Sequence, residues 1–213
     1  MSMSWRLASR LSVITLALLV VLLVAFWSLH NSVGGTTSSN PSASQSGLQG
    51  TDLDSVPAPD FRLSDQFGKP ISLSQFEGRP VVLTFLYTHC PDVCPLTANK
   101  LHTTMQNLGK DAQHVTILAV SMDPKGDTPA AAQNFSRVHE LGNYFHFLLG
   151  AQDQLAPVWA SYSVDAQAAT STNVVSHSSA IYVIDKDGRE RVLFDSSFDP
   201  NQLSADLKTL LGE

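Results

Sequence analysis

The sequence predicts an α/β protein: a three-layer sandwich with a mixed central sheet, preceded by one N-terminal transmembrane helix. Three observations carry this. Val81–Tyr87 (VVLTFLY) and Val115–Met122 (VTILAVSM) are nearly continuous apolar runs, as expected of strands covered on both faces. Helical patterns alternate with such runs, which favours parallel strands joined by crossovers. Residues 11–29, LSVITLALLVVLLVAFWSL, contain no charged side chain. At helical rise they span roughly 28 Å, close to the hydrocarbon core of a bilayer.

The elements follow in order. Arg6 and Arg10 precede the apolar run and the next basic residue is Arg62, so residues 1–10 are expected in the cytoplasm and the remainder across the membrane. A cleaved signal peptide is the competing reading, but the run is longer than the usual h-region and HNSVGGTTSS offers no A-x-A-like site. No cysteine follows the run, which excludes a lipoprotein anchor. Residues 30–55 are dominated by Ser, Gly, Thr and Asn and read as a flexible tether, leaving 56–213 as the folded domain. Phe61–Leu63 and Ile71–Leu73 flank Phe67-Gly68 as a small hairpin. Leu101, Met105 and Leu108 recur at helical spacing, with Pro95 suited to a first turn. Thr128-Pro129 caps a helix expected to run to about Leu141. Phe145–Leu149 reads as a short strand and Asp153–Tyr162 as a helix. Ala180–Asp185 and Glu190–Phe194 enclose Asp187-Gly188, a hairpin signal, and Pro200–Leu211 closes the chain as an amphipathic helix.

Charge and cysteine content exclude several classes. From residue 48 onward, 11 basic side chains face 19 acidic ones, a balance of −8, the wrong sign for a phosphate-backbone binder. Nucleic acid is therefore not an expected partner. Two cysteines cannot form a disulfide framework or a four-thiolate zinc site.

The chemistry concentrates at Thr88–Pro95, THCPDVCP, where a buried strand ends and a helix begins. With a helix starting at Pro91 or Asp92, Cys90 and Cys94 fall on one face, near an N-terminus that favours thiolates. A purely structural disulfide enclosing three residues removes little loop entropy. Redox exchange and metal binding both remain open, and the pair alone does not separate them. Among the histidines of the domain, His89, His102, His114, His139 and His146 read as surface or satisfied side chains. His177 stands in SHSSAIYVID, immediately ahead of a strand expected at the centre of the sheet, and from position alone ligand and plain surface residue are equally open. Asp92 reads as a solvated helix-start acid, Asp123 and Asp127 as turn and capping residues, and Met105 and Met122 as core.

TFLYTHCPDVCPLT, AVSMDPKGDTP and HSSAIYVIDKDG resemble the three signature segments of the SCO/SenC copper-binding proteins, in order and at family-like spacing. The resemblance covers roughly Val56–Gly212. It implies a thioredoxin-like domain held outside the cytoplasmic membrane by its anchor, here the periplasmic side of a bacterial inner membrane. It also implies one copper per monomer, as Cu(I) or Cu(II), on Cys90, Cys94 and His177. Thioredoxin-like domains normally set a proline against the cysteines at the loop that here carries His177. The implied task is assembly of the dinuclear copper centre in cytochrome c oxidase subunit II, served by an upstream copper donor and a thiol reductant. Two departures stand out: Ser176 replaces a frequent aspartate, and VIDKDG replaces the commoner Asp-Pro-x-Gly form.

Ligand chemistry agrees, because two thiolates and an imidazole suit copper, Cu(I) above all. The rival reading is an enzyme, a membrane-anchored thiol–disulfide oxidoreductase that reduces the client's copper-site cysteines through the Cys90/Cys94 pair. A thiol peroxidase is weaker, since neither Arg79 nor Lys100 is placed beside an attacking thiolate.

Overall fold

The computed structural model describes residues 18–24, 26, 47–164 and 180–213. The chain divides into two units, Met1–Ser42 and Ala43–Glu213. In the first, residues 18–24 and 26 are helical and exposed. Among the described residues no helix is long and apolar enough to cross a membrane; most of the predicted span lies outside them.

Among the described residues the second unit has eight strands, β1 (Thr51–Pro57), β2 (Arg62–Ser64), β3 (Pro70–Ser72), β4 (Val81–Leu86), β5 (Thr116–Ser121), β6 (Phe145–Leu148), β7 (Ile181–Ile184) and β8 (Arg189–Phe194). Its helices are α1 (Val93–Leu108), α2 (Pro129–Val138), α3 (Gln152–Ser161) and α4 (Pro200–Gly212). Six strands form one mixed sheet in the order β1-β8-β7-β4-β5-β6, and β2–β3 is a separate hairpin. β4, β5 and β6 run parallel, while β7, β8 and β1 add antiparallel. Every residue of β4 and β5 is buried, so both faces of the sheet centre are covered, as their unbroken apolar runs require. On one flank α1 packs against α4, and α2 lies against β6.

Two boundaries differ from the sequence reading. Ordered structure begins before residue 56: Thr51–Pro57 pairs with β8, so residues 51–55 belong to the sheet and not to the tether. This edge strand is mostly exposed and polar, and a register shift with positive φ at Asp54 and Ser55 interrupts it, which gives it the composition of a linker. The α2 helix stops at Val138, short of Leu141. Glu140 takes a left-handed conformation (φ 52°) and the Leu141 N–H reaches back 2.9 Å to the Ser136 carbonyl, a helix-ending loop without glycine. Apart from the start of the helix after the cysteine loop, the signals hold elsewhere. Thr128 Oγ1 accepts from the Ala131 N–H at 3.2 Å with Pro129 in the first turn, and the β7–β8 turn places Gly188 at φ 72°.

The antiparallel partner of Thr84 in β4 is Ile181 in β7. The chain therefore enters β7 at the same end of the sheet where it leaves β4. That end carries the cysteines.

Candidate metal and redox centre

β4 delivers the chain, at full burial, to Tyr87 and then to a turn over Thr88-His89. The α1 helix starts at Val93, with Asp92 as its N-cap, so Cys90 stands outside the helix and the expectation of one shared helical face fails. What brings the sulfurs together is a loop. The Cys94 N–H donates to Cys90 Sγ at 3.3 Å, while Asp92 makes no side-chain capping bond. The Cys90 sulfur thus takes the place of a capping oxygen over a free N–H of the first turn.

The two cysteines are not joined in a disulfide, and their surroundings differ. Cys90 is half-buried and Cys94 fully buried. A hydrogen bond to Cys90, then burial, push the Cys94 thiol far above the ordinary thiol value; the Tyr87 N–H works the other way. These surroundings favour the protonated thiol at Cys94. The Tyr87 hydroxyl also bonds to the Cys90 sulfur; burial first, then that bond, raise it far above the ordinary tyrosine value and keep it a donor. Three donors thus converge on Cys90 Sγ.

The loop ahead of Cys90 is held from β5 and its exit. Asp127, only 7% exposed, accepts from the Thr88 N–H and the Thr88 hydroxyl at 2.7 Å each, and from the Ser121 hydroxyl at 2.6 Å. Burial raises its carboxyl above the ordinary value, against the pull of these donors. Asp123 behaves as a turn residue, accepting from the Lys125 and Gly126 N–H groups at 3.2 and 3.0 Å. Asp127 does more than the turn role expected of it: it ties two strand ends to the cysteine loop.

The remaining histidines divide. His102 bonds to the Glu140 carbonyl, His114 to Gln113 and His146 to Asp65, all satisfied as expected. His89 and His139 both line a cleft of about 230 Å³ beside the cysteine loop. His177 lies outside the described residues, and among those described no group of three or more His, Cys, Asp or Glu side chains could hold a metal. Met105 and Met122 are buried in the core, and Lys100 is occupied by the Ser196 carbonyl and the Phe198 ring. Sequence reasoning missed Tyr87, whose only signal is a hydroxyl at the end of an apolar run, and the reach of Asp127.

Two soft sulfur donors in contact, one half open to solvent, fit a thiophilic ion or a disulfide exchange equally well. The comparisons bear on which. Residues 50–212 match the SCO1/SenC family model. The copper-bound ScoI structure of Bradyrhizobium japonicum is similar at 33% identity and a TM-score of 0.66, covering 73% of this chain and 99% of that one. The apo Sco1 solution structures from Thermus thermophilus give 30% identity and a TM-score of 0.66, with 77% and 97% covered. The mitochondrial protein SCO2 homolog of Bos taurus is 34% identical over 135 residues, which are 61% of this chain and 50% of that protein. The chain spans between half and two thirds of the length of the first such relatives.

Proposed function

This chain belongs to the SCO1/SenC family, and we propose that it is a membrane-anchored copper metallochaperone. In this reading Cys90, Cys94 and His177 bind one copper per monomer, and the protein assists assembly of the dinuclear copper centre of cytochrome c oxidase subunit II. The observation that carries the reading is the sulfur pair itself: Cys94 N–H against Cys90 Sγ at 3.3 Å, at the sheet end where β7 begins. His177 stands four residues before Ile181, whose pairing with Thr84 supports a third ligand on the cysteine side. The similarity to a copper-bound ScoI supports the cargo. Two thiolates on Cu(I) leave a net charge of −1, which the α1 N-terminus helps to offset. Three ligands leave room for an incoming donor to attack, which suits an ion that is handed on.

Residues 11–29 are the proposed anchor, 1–10 the cytoplasmic end and the stretch to about residue 50 a tether, which puts the domain on the periplasmic side of an inner membrane. A tether of about twenty residues of this composition would reach roughly 25 Å, enough to keep the domain near a membrane-embedded client. An oxidising compartment closes dithiols, so an upstream reductant and a copper donor complete the scheme.

A second reading has its own support. A half-open Cys90 beside a buried, protonated Cys94 is the arrangement of an attacking and a resolving thiol, so reduction of the client's copper-site cysteines by this pair is the alternative. Anaerobic Cu(I) titration of the reduced full chain in detergent, against a chromophoric competitor, separates them. One tight copper, lost in Cys90→Ser/Cys94→Ser and much weakened in His177→Ala, is expected. Dithiol exchange that survives His177→Ala without tight copper binding in the parent would establish the reductase instead.

A further inference from the structure

The cleft beside the cysteine loop holds two imidazoles whose partners fix their tautomers. Thr88 has one hydroxyl hydrogen, and it goes to Asp127 Oδ1 at 2.7 Å. Towards His89 Nδ1, 3.1 Å away, the same oxygen can only accept, so the His89 proton is on Nδ1. His139 Nδ1 lies 2.8 Å from Asn99 Oδ1, an amide oxygen that accepts and never donates. Its proton is on Nδ1 as well. A neutral ring with this tautomer carries its lone pair on Nε2, and both residues line one cleft of about 230 Å³ together with Thr88, Asn134 and Phe135. His139 is further held by the Phe135 ring, 4.5 Å between centroids. Burial lowers its proton affinity below the ordinary histidine value. Burial thus favours the neutral ring, the form that binds metals.

An imidazole whose second nitrogen donates to a fixed oxygen is the usual arrangement of a metal-ligating histidine. Neutral imidazoles suit copper, and Cu(I) is satisfied by two ligands. No carboxylate is among the cleft's lining residues, so harder cations find little to hold.

We propose that His89 and His139 form a two-imidazole entry site for Cu(I), from which the ion passes to Cys90 and Cys94. The inference rests on the copper reading for its cargo. His89 is covalently next to Cys90, so the two sites are neighbours on one loop. Copper stays Cu(I) throughout: two Nε2–Cu bonds break, two S–Cu bonds form, and the two thiol protons leave to water. No oxidant or reductant is consumed.

The test removes the sulfurs and asks what remains. The full chain carrying Cys90→Ser/Cys94→Ser, in detergent and without oxygen, is titrated with Cu(I) alone while the histidine side-chain nitrogens are followed by NMR. One equivalent is expected to move the Nε2 signals of His89 and His139 and no other histidine. In the same background His139→Ala should weaken binding at least about tenfold, and Asn99→Ala, which removes only the orienting oxygen, by a smaller factor. Shifts at His177 or any other histidine instead, an affinity unchanged by His139→Ala, or no Cu(I) taken up by the serine variant would each overturn the entry site. A parent protein that binds no Cu(I) tightly would overturn the copper reading itself, whereas a tight parent with an inert serine variant removes the entry site alone.

Discussion

Two buried aspartates organise loops at opposite ends of the sheet, and only one of them has a cation. Asp185, just past the end of β7, accepts from the Asp187 and Arg189 N–H groups at 3.0 and 2.9 Å and from Arg191 Nη1 at 3.2 Å. Arg191 also binds Glu213 at the chain's end, so this turn is closed by an ion-pair network. Asp127, at the cysteine end, is as deeply buried but is held by one N–H and two hydroxyls, and no basic side chain pairs with it among the described residues. A charge neutralised in place serves the fold. A buried carboxylate held by Thr88 and Ser121 instead fixes the turn that leads into Cys90.

The sharpest way to break this contrast is Asp127→Ala. It leaves the Thr88 N–H, the Thr88 hydroxyl and the Ser121 hydroxyl without their acceptor, and a loss of about 3 kcal/mol is expected in denaturant unfolding. Because Thr88 leads into Cys90, Cu(I) affinity should fall as well, by about tenfold. Arg191→Ala strips Asp185 of its cation while leaving the backbone donors in place, and should cost about 2 kcal/mol by the same measurement. Cu(I) affinity should not change. Equal copper effects in the two variants would show that the two ends are not functionally distinct.

The same contrast explains what the sequence made legible. β4 and β5 could be read because burial on both faces leaves an unbroken apolar run, and that signal is local. The start of α2 could be read because Thr128 and Pro129 act on their own turn. β1 could not, since an exposed edge strand broken by Asp54 and Ser55 has a polar composition like that of the sequence just before it. The start of α1 was misplaced for a different reason. Pro91 and Asp92 look like a helix start, yet the acceptor for the first-turn N–H is the Cys90 sulfur, an interaction no propensity encodes. The cysteine pair was visible because its residues are four apart. Asp127 on Thr88 and Asn99 on His139 span 39 and 40 positions, and only the folded chain brings them together.

Asp127→Asn sharpens the comparison through pH. Burial holds the Asp127 carboxyl above its ordinary value in the folded protein. As pH rises past the ordinary carboxylate range, the unfolded chain releases a proton that the folded one still binds, so stability falls with rising pH until the raised folded value is passed. The associated stabilisation is complete below the unfolded value and absent above the folded one. An asparagine keeps an acceptor for Thr88, can donate to Ser121 and does not titrate. Its stability relative to the parent should therefore increase from acid to neutral pH, by about 1 kcal/mol or less. A relative stability that falls over this interval would mean that the donors, not burial, dominate at Asp127.

The smallest effect is expected at Gly126, in the loop between the two acids. A Cβ there would lie on Asp123 Oδ2 and 3.4 Å from His89 Nδ1. The Asp123 carboxylate end can swing aside, but its Oδ1 then strains the bonds to the Lys125 and Gly126 N–H groups. Gly126→Ala should cost under about 1 kcal/mol, measured by denaturant unfolding. Asp127, anchored through both oxygens to β5 and Thr88, should not follow, so the rate of disulfide formation between Cys90 and Cys94 should match the parent's. A large change in that rate would mean that the loop from Asp123 to Asp127 moves as one piece, and that the carboxylate holding the cysteine turn is set by its neighbours rather than by the strand ends.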